Sequence, residues 1–592
     1  MASILGYKIQ VKAAIYAAIL SAFVLIAFAP AFNNGFTNWD DEAYVLNNNA
    51  IKELTPAKAG GFFYSFTNSN YHPLTMLSYS LEYSLFNNSP SVYHATNILI
   101  HLINCFLVFR LIWLLCGNIN IAFAVALLFG IHPLRVESVA WISERKDVLY
   151  SLFYICALIQ YYRYRVSGVK KHLVFFSLAF LLSLLSKGSA VTLPFAAMLI
   201  DYYLDGIFEK KRIISKIPFA VISVLFTIIG ILAQSAGGAL KPENAGLFNN
   251  LLFGIAGIGF YIEKFFLPFN LSNLYPRQIG SLQVVSLVVF LVSAFFAVLK
   301  KNKSAIFGLL FFLVTILPSL QFVPLGEGVQ ADRYSYIPFI GLFFVFCSTL
   351  NSLYERTGSR TTVKLLLICA LGLTASGFTF LTQQRSEVWE NSITLWTNAL
   401  KTNPANKTAL NSRGAAYNSL QEYDKAIEDY KSVLIIDPAN GLAYYNRGLT
   451  YINLNRIKEA REFLNTAMKF NPRITEQCKT LLSYCDNQEK MGKSIPPLKT
   501  EKLAAQFFNL GNEKMKEGLF GEAIINYSAA IQIDNAKAEY YNNRGIVYTK
   551  TGQYDSAYAD FKQAIILKPN YTNAMKNLGK LETLINATQF SK

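Results

Sequence analysis

The chain has 592 residues, more than one hydrophobic core accommodates, so two or more domains are expected. Charged residues make up 15% and hydrophobic residues 53% of the chain, whereas soluble proteins have about 25% charged residues. This composition argues against a soluble enzyme and indicates a membrane protein. The net charge of +17 does not favour nucleic-acid binding, because short Lys and Arg clusters lie between apolar runs, as in cytoplasmic loops.

The first apolar run, residues 13–32, follows Lys8 and Lys12 and predicts an uncleaved membrane span. The basic residues before it predict a cytoplasmic N-terminus and place the loop 33–93 on the outer side. About eleven crossings are predicted in all. The ten that follow the first are residues 94–116, 119–134, 148–163, 172–186, 188–204, 217–233, 281–300, 304–322, 335–354 and 362–382. Residues 250–268 are predicted to form a re-entrant, paired or interfacial element instead, because they contain Glu263 and Lys264.

From about residue 386 the sequence changes to polar, amphipathic helix pairs with a period of 34 residues. Gly511 recurs as Gly545 and Gly579, and Pro438 recurs as Pro472. This period predicts about five to six tetratricopeptide repeats, which stack into an α-solenoid with a groove for peptide segments. We therefore predict an all-α protein with a transmembrane domain over 1–385, an extracytoplasmic repeat domain over 386–592 and an irregular segment at about 474–500.

The outer loop begins with three acidic residues, Asp40-Asp41-Glu42, directly after the first span. Two carboxylates in one short loop can act as a general base and as an organiser of a cation or phosphate, because their neighbours push their pKa values apart. The simpler alternative is a polar loop that marks the membrane boundary. Carboxylates and phosphate also suit Mg²⁺ or Mn²⁺ at Asp40 and Asp41, although these ligands are too few to require a metal.

Further polar residues interrupt apolar stretches, and the span count places them on the same outer side. If residues 137–145 are helical, Glu137, Trp141 and Glu144 share one face and Arg145 lies beside it. An acid, an aromatic ring and a guanidinium would suit a sugar phosphate; a loop held by internal salt bridges is the alternative. Lys187 can neutralise a phosphate, and Arg333, oriented by Asp332, is a second candidate phosphate clamp.

The seven cysteines form no CxxC pair, and the five histidines lack a tight metal-ligand spacing. Cys478 and Cys485 lie in the polar part of the chain. They can form a disulfide in an oxidising compartment or remain free thiols.

Six motifs in chain order, together with the repeats, carry a family resemblance. They are Asp40-Asp41, His72-Pro-Leu-Thr75, His132-Pro-x-x-x-Glu137-Ser-Val-Ala-Trp141, Arg145-x-Asp147, Lys187-Gly-Ser-Ala-Val-Thr-Leu-Pro194 and Asp332-Arg333-Tyr-x-Tyr336-x-Pro338. With them, essentially the whole chain resembles the transmembrane and tetratricopeptide-repeat protein O-mannosyltransferases and their bacterial relatives. The resemblance implies the C-type glycosyltransferase fold in the membrane domain.

The resemblance also implies an activity: transfer of mannose or a similar sugar from a polyprenyl-phosphate carrier to Ser or Thr hydroxyls of extracytoplasmic proteins, with inversion. Asp40 or Asp41 would be the general base, with Asp41 preferred because relatives have an Asp-Glu pair there, and Glu137 would orient the acceptor or a cation. No cofactor is certain, and the repeats would hold the acceptor protein. The residues expected to bind the donor phosphate or sugar are Arg145, Lys187, Arg333, His132, Trp141 and His72.

Two other functions stay open at this point. One is sugar transfer to a glycolipid or surface polysaccharide, and the other is a non-catalytic membrane scaffold that displays its repeats. The expected location is a bacterial inner membrane with the repeats in the periplasm, or the ER membrane with luminal repeats in a eukaryote. An undecaprenyl-type carrier is as plausible as dolichol.

Overall fold

The structure is a computed structural model that describes residues 2–52, 54–236, 246–320, 330–358, 360–490 and 500–589. Within these residues the regular structure is helical, apart from one isolated bridge between Thr67 and Asn70. The chain packs as two units. The first unit comprises the chain up to Leu46 and the chain that follows Lys52 as far as Pro404. The second unit comprises Asn47–Lys52 and the chain from Ala405. The helix that follows residue 385, Ser392–Thr402, packs in the first unit. The domain boundary at 385 stays a prediction.

The α-helices of the first unit are α1 (Ala2–Ala27), α2 (Pro56–Gly61), α3 (Pro73–Phe86), α4 (Pro90–Cys116), α5 (Ile119–Ile131), α6 (Val136–Ala140), α7 (Arg145–Ser167), α8 (Lys170–Ser186), α9 (Leu193–Asp205), α10 (Lys210–Ile214), α11 (Ile217–Ala236), α12 (Gly246–Phe266), α13 (Ser281–Leu299), α14 (Lys303–Ile316), α15 (Pro338–Arg356), α16 (Thr361–Glu387) and α17 (Ser392–Thr402). Those of the second unit are α18 (Lys407–Ser419), α19 (Tyr423–Ile436), α20 (Gly441–Asn453), α21 (Ile457–Phe470), α22 (Thr475–Lys490), α23 (Thr500–Lys516), α24 (Phe520–Ile533), α25 (Ala538–Lys550), α26 (Tyr554–Leu567) and α27 (Thr572–Gln589).

Among the described residues, five helices are long and apolar enough to cross a membrane: residues 9–27 of α1, and α4, α11, α13 and α16. A sixth is present if α5 and the segment Pro133–Ala140, bent by 58°, form one span. The chain is therefore an integral membrane protein. The count of about eleven crossings stays a prediction, because helices such as α14 are short and α7 contains several charged residues.

Helix α12 covers the segment for which the sequence allows a re-entrant, paired or interfacial element. It is one continuous helix that packs against α13. Gly259 makes this possible, because a Cβ atom there would overlap the carbonyl of Gln283. Glu263 and Lys264 form an ion pair of 3.0 Å near its end. The structure therefore favours the paired alternative over a re-entrant loop.

The second unit contains four complete helix pairs within its described residues: α18–α19, α20–α21, α23–α24 and α25–α26. The sequence predicts five to six repeats. The count is lower because α22 and α27 are single helices within the described residues and α17 packs in the first unit. Residues 491–499 of the predicted irregular segment lie outside the described residues.

A repeated glycine explains the 34-residue period. In each pair the first helix places a glycine against a side chain of the second helix, sixteen residues later. The pairs are Gly414–Tyr430, Gly448–Leu464, Gly511–Tyr527 and Gly545–Phe561, and a Cβ atom on each glycine would lie 2.5–2.8 Å from that side chain. The period therefore records the closest approach of two helices in each repeat.

All seven cysteines have free thiols, including Cys478 and Cys485, which are buried in the core around α22. The two therefore act as small apolar core residues, and the disulfide alternative is not formed.

The repeat glycines provide a matched pair of substitutions. Gly545→Ala should lower the free energy of unfolding of the second unit by about 1–3 kcal/mol, because the new methyl overlaps Phe561. Gly579→Ala should stabilise the chain by up to about 1 kcal/mol, because nothing lies within 4 Å of its new Cβ and alanine favours the helix. Hydrogen exchange of α25–α27 in the full chain measures both. Equal protection in the two variants would contradict this packing.

Candidate active site

Asp41 lies just before a one-turn π-helix, Glu42–Leu46, a backbone feature that is frequent at functional sites. Its carboxylate is 1% exposed. One oxygen accepts hydrogen bonds from the Thr37 backbone N–H and hydroxyl at 2.8 and 2.9 Å, and the other from the same two groups of Ser143 at 3.0 and 2.5 Å. Burial raises the pKa of Asp41, and these four bonds oppose the rise. Asp41 therefore attaches the acidic loop to the turn Ile142–Glu144.

Asp40 is half-buried and has a different environment. Its Oδ1 accepts one hydrogen bond, from Asn68 at 3.1 Å, and its Oδ2 has no hydrogen-bond donor among the described residues. Burial raises the pKa of Asp40, while Lys146 and Arg333 nearby oppose the rise. Asp40 is thus the acid of the pair with an oxygen open to a substrate.

Glu144 is the centre of a charge cluster beside Asp40. Its Oε1 lies 3.2 Å from Lys146 Nζ and 3.3 Å from Arg333 Nε, and its Oε2 lies 3.2 Å from Lys187 Nζ. Burial disfavours the charged form, but the three cations outweigh it and hold the pKa of Glu144 well below its usual range. Three cations thus converge on one carboxylate, and Glu144 is the anion that they share.

Two more acids complete this charge cluster. Lys187 Nζ lies 2.5 Å from Asp147 Oδ1, and the other oxygen of Asp147 accepts a hydrogen bond from Ser138 at 3.0 Å. The Arg333 guanidinium forms an ion pair with Glu137, whose other oxygen accepts the Arg333 backbone N–H at 3.1 Å. The predicted residues Glu137, Lys187 and Arg333 therefore meet in one place.

The predicted helical face over residues 137–145 is wrong. Helix α6 ends at Ala140, Trp141 is extended (φ −81°, ψ 118°), and the 3₁₀ turn Ile142–Glu144 leads into α7. Glu137 and Glu144 still converge, because Arg333 contacts both. The common partner brings them together rather than the helical register.

Four tryptophans form an aromatic cluster next to these charges. The ring of Trp39 stacks on Trp141 at a centroid distance of 4.4 Å and lies 6.2 Å from Trp389 and 5.5 Å from Trp396. Arg333 lies 5.9 Å from the Trp39 ring. Trp141, predicted to pack on a sugar, is 2% exposed and lies beneath Trp39. The half-buried Trp39 is therefore the ring available to a ligand.

The structure places Arg145 outside the charge cluster. Its guanidinium pairs with Glu82 and donates to Asn97 Oδ1 at 2.9 Å and to the carbonyl of Tyr93 at 3.0 Å. The next residue, Lys146, contacts Glu144 instead. Sequence reasoning missed Lys146, although it is the unspecified position in the motif Arg145-x-Asp147.

The two predicted histidines have different surroundings. His132 lies among four phenylalanine rings with centroid distances of 4.8–6.3 Å, and Leu134 N–H donates to its Nδ1. His72 is 4% exposed, and its Nε2 has no hydrogen-bond partner among the described residues. Burial and the nearby Lys146 lower the pKa of His72 to about 3, so its imidazole is neutral at physiological pH.

No group of three or more potential metal ligands occurs among the described residues. Asp40 and Asp41 bind separate partners, Asn68 for one and Thr37 with Ser143 for the other. A divalent cation at these two acids stays a prediction.

The two aspartates should differ in their effect on stability. Asp41→Asn should lower the free energy of unfolding by about 1–3 kcal/mol, because the amide NH₂ would face N–H and O–H donors in a buried position. Asp40→Asn should change it by less than about 0.5 kcal/mol, because burial already disfavours the charged form. Thermal unfolding of the full chain in detergent tests this contrast. Equal loss in both variants would contradict the assignment of Asp41 as the attachment point.

Comparisons with known proteins agree with both parts of the chain. Tetratricopeptide-repeat family models match residues 538–571 and 442–474, and a TPR repeat model matches 414–455 and 511–552. The human protein named Protein O-mannosyl-transferase TMTC3 is 22% identical over 91% of this chain and 66% of its own length. Human Protein O-mannosyl-transferase TMTC1 is 24% identical over 66% of this chain and 51% of its own.

A third relative, Protein O-mannosyl-transferase F38B6.6 of Caenorhabditis elegans, is 25% identical over 66% of this chain and 58% of its own length. The chain thus spans about half to two thirds of the length of these relatives. These alignments confirm the resemblance that the six motifs indicate. Over 66–91% of its length the chain is thus similar to transmembrane and tetratricopeptide-repeat proteins named protein O-mannosyl-transferases, and its C-terminal part contains tetratricopeptide repeats.

Proposed function

We propose that this protein is a membrane glycosyltransferase that moves mannose or a similar sugar from a polyprenyl-phosphate carrier to Ser or Thr hydroxyls of extracytoplasmic proteins. The observation that carries the proposal is the open Asp40 carboxylate beside three cations gathered on Glu144. A base and an anion-binding site are the two parts that this reaction needs. The names of the aligned relatives support the same reaction class.

Asp40 is the general base in this proposal, although the family resemblance favours Asp41. Burial raises the pKa of both aspartates, but both Asp41 oxygens are occupied by donors whereas Asp40 has an open oxygen that can take a proton. Asp40 takes the proton of the acceptor hydroxyl as the hydroxyl oxygen attacks the anomeric carbon. The bond from that carbon to the phosphate oxygen breaks, and its electron pair leaves on the lipid phosphate. Direct displacement inverts the anomeric centre.

Lys146, Lys187 and Arg333 stabilise the negative charge of the leaving phosphate. Lys187 and Arg333 also have Asp147 and Glu137 as partners, so these carboxylates keep the two cations in place when the donor arrives. Because all three contact Glu144, the donor phosphate competes with this carboxylate for them. Glu137 positions Arg333 rather than the acceptor.

The sugar lies against Trp39, the accessible ring of the aromatic cluster. Neutral His72 supplies Nε2 as a hydrogen-bonding group for a sugar hydroxyl. The repeats hold the acceptor protein and raise its local concentration without chemistry of their own. Acceptor and repeats face the periplasm or the ER lumen in this proposal.

Asp40→Asn should reduce sugar transfer from a radiolabelled polyprenyl-phosphate donor by about 10²–10⁴-fold, the usual contribution of a general base. The Asp41→Asn variant, compared per folded molecule, should keep most of its activity. In the wild type, activity should fall as the pH is lowered through the raised pKa of Asp40, because the protonated acid accepts no proton. Full activity of Asp40→Asn would remove Asp40 from the reaction and favour the scaffold alternative.

Glu144→Gln should bind the donor more tightly, by about tenfold or roughly 1.4 kcal/mol, because the cations lose a competing carboxylate. Release of the lipid phosphate should slow for the same reason, so KM and kcat should fall together. Glu82→Gln is the matched control, since its partner Arg145 lies outside the cluster. Weaker donor binding by Glu144→Gln than by this control would show that the phosphate does not compete with Glu144.

A further inference from the structure

A second site lies in the first unit, at an open cavity of about 650 Å³. The loop after α12, the C-terminal part of α16 and helix α17 form its walls. Among the described residues that line it are two basic side chains, Arg385 and Lys401, and none is acidic. The acids and cations of the candidate active site are not part of this lining.

Arg385 is fixed in the wall. It is 5% exposed, donates from Nη1 to Asn398 Oδ1 at 2.7 Å, and lies 3.4 Å from Asp332 Oδ2, while its Nε has no partner among the described residues. The Asp332 carboxylate offsets part of the positive charge of Arg385. The same carboxylate accepts a hydrogen bond from the Tyr275 hydroxyl at 2.6 Å.

Lys401 adds a second charge on the same side of the cavity. It follows Asn398 by three residues on α17, so the two side chains lie on one face of the helix. Lys401 is exposed and forms no ion pair within the described part of the chain. The cavity therefore has the charge of Lys401, which no described carboxylate neutralises, beside that of Arg385, which Asp332 partly offsets, and this balance suits an anion.

The other side of the cavity is apolar and lies next to a candidate membrane span. Leu381 lines it near the end of α16, one of the candidate membrane spans. Phe269 lines it as well and is 53% exposed, and the adjacent Phe266 and Leu267 are 54% and 44% exposed. An anionic ligand here has hydrocarbon-compatible side chains directly beside it.

We propose that this cavity binds the headgroup of an anionic glycerophospholipid of the surrounding bilayer. The phosphate lies between Arg385 and Lys401, and an acyl chain runs along Phe266, Leu267 and Phe269. The lipid-linked donor is a poorer match, because the reaction needs a base and the cavity lining contains no carboxylate. The bound lipid fastens α17 to the end of α16, and it takes no part in sugar transfer.

Native mass spectrometry of the purified full chain, titrated with phosphatidylglycerol or phosphatidylcholine, tests the proposal. We expect one tightly held phosphatidylglycerol, at least tenfold weaker binding in Lys401→Glu, and a similar loss in Gln384→Trp, which fills the cavity without changing its charge. Lys431→Glu, at an exposed lysine of α19, is the charge-matched control and should bind like the wild type.

Three results would overturn the proposal. One is equal binding of phosphatidylcholine, which would show that no anion is selected. Another is unchanged binding in both Lys401→Glu and Gln384→Trp. The third is displacement of the bound phosphatidylglycerol by one equivalent of polyprenyl phosphate, which would assign the cavity to the donor. Because the readout is lipid mass, it is independent of whether sugar transfer occurs.

Discussion

The need to neutralise buried charge governs the candidate site. Removing a charge from water costs several kcal/mol unless a partner and hydrogen bonds compensate it. Glu144, 2% exposed, meets this requirement through three cations, and each cation must itself be held at the right place. The short helix α6, the extended Trp141 and the 3₁₀ turn before α7 all serve to bring these groups together.

Much of this site could be predicted from the sequence because polar residues are expensive in apolar surroundings. Clusters around residues 40, 137, 187 and 333 stood out for that reason, and three of the four meet at Arg333 and Glu144. The repeats could be predicted equally well, since the glycine at the close helix contact of each pair recurs with a fixed period. Polar residues in apolar stretches and glycines at a 34-residue spacing are both visible as individual residues, which is why they can be recognised without a structure.

The choice between neighbours could not be predicted. Asp40 and Asp41 are chemically identical and adjacent, yet one is saturated by four donors and the other has an open oxygen. Arg145 and Lys146 are likewise adjacent, and the two face Glu82 and Glu144 respectively. Which neighbour faces the site depends on where the backbone leaves the helix. The helix break at Trp141 contains no proline or glycine that would indicate it in the sequence. Tertiary contacts impose this break.

The aromatic cluster has an optical consequence. Four of the five tryptophans of the chain lie in it, with Trp39 at centroid distances of 4.4–6.2 Å from the other three. Indole rings this close share their excited states, and a guanidinium lies over the outermost ring. Four of the five tryptophan chromophores of the protein therefore lie beside the charge cluster. The chain carries its own spectroscopic label at the place where chemistry is proposed.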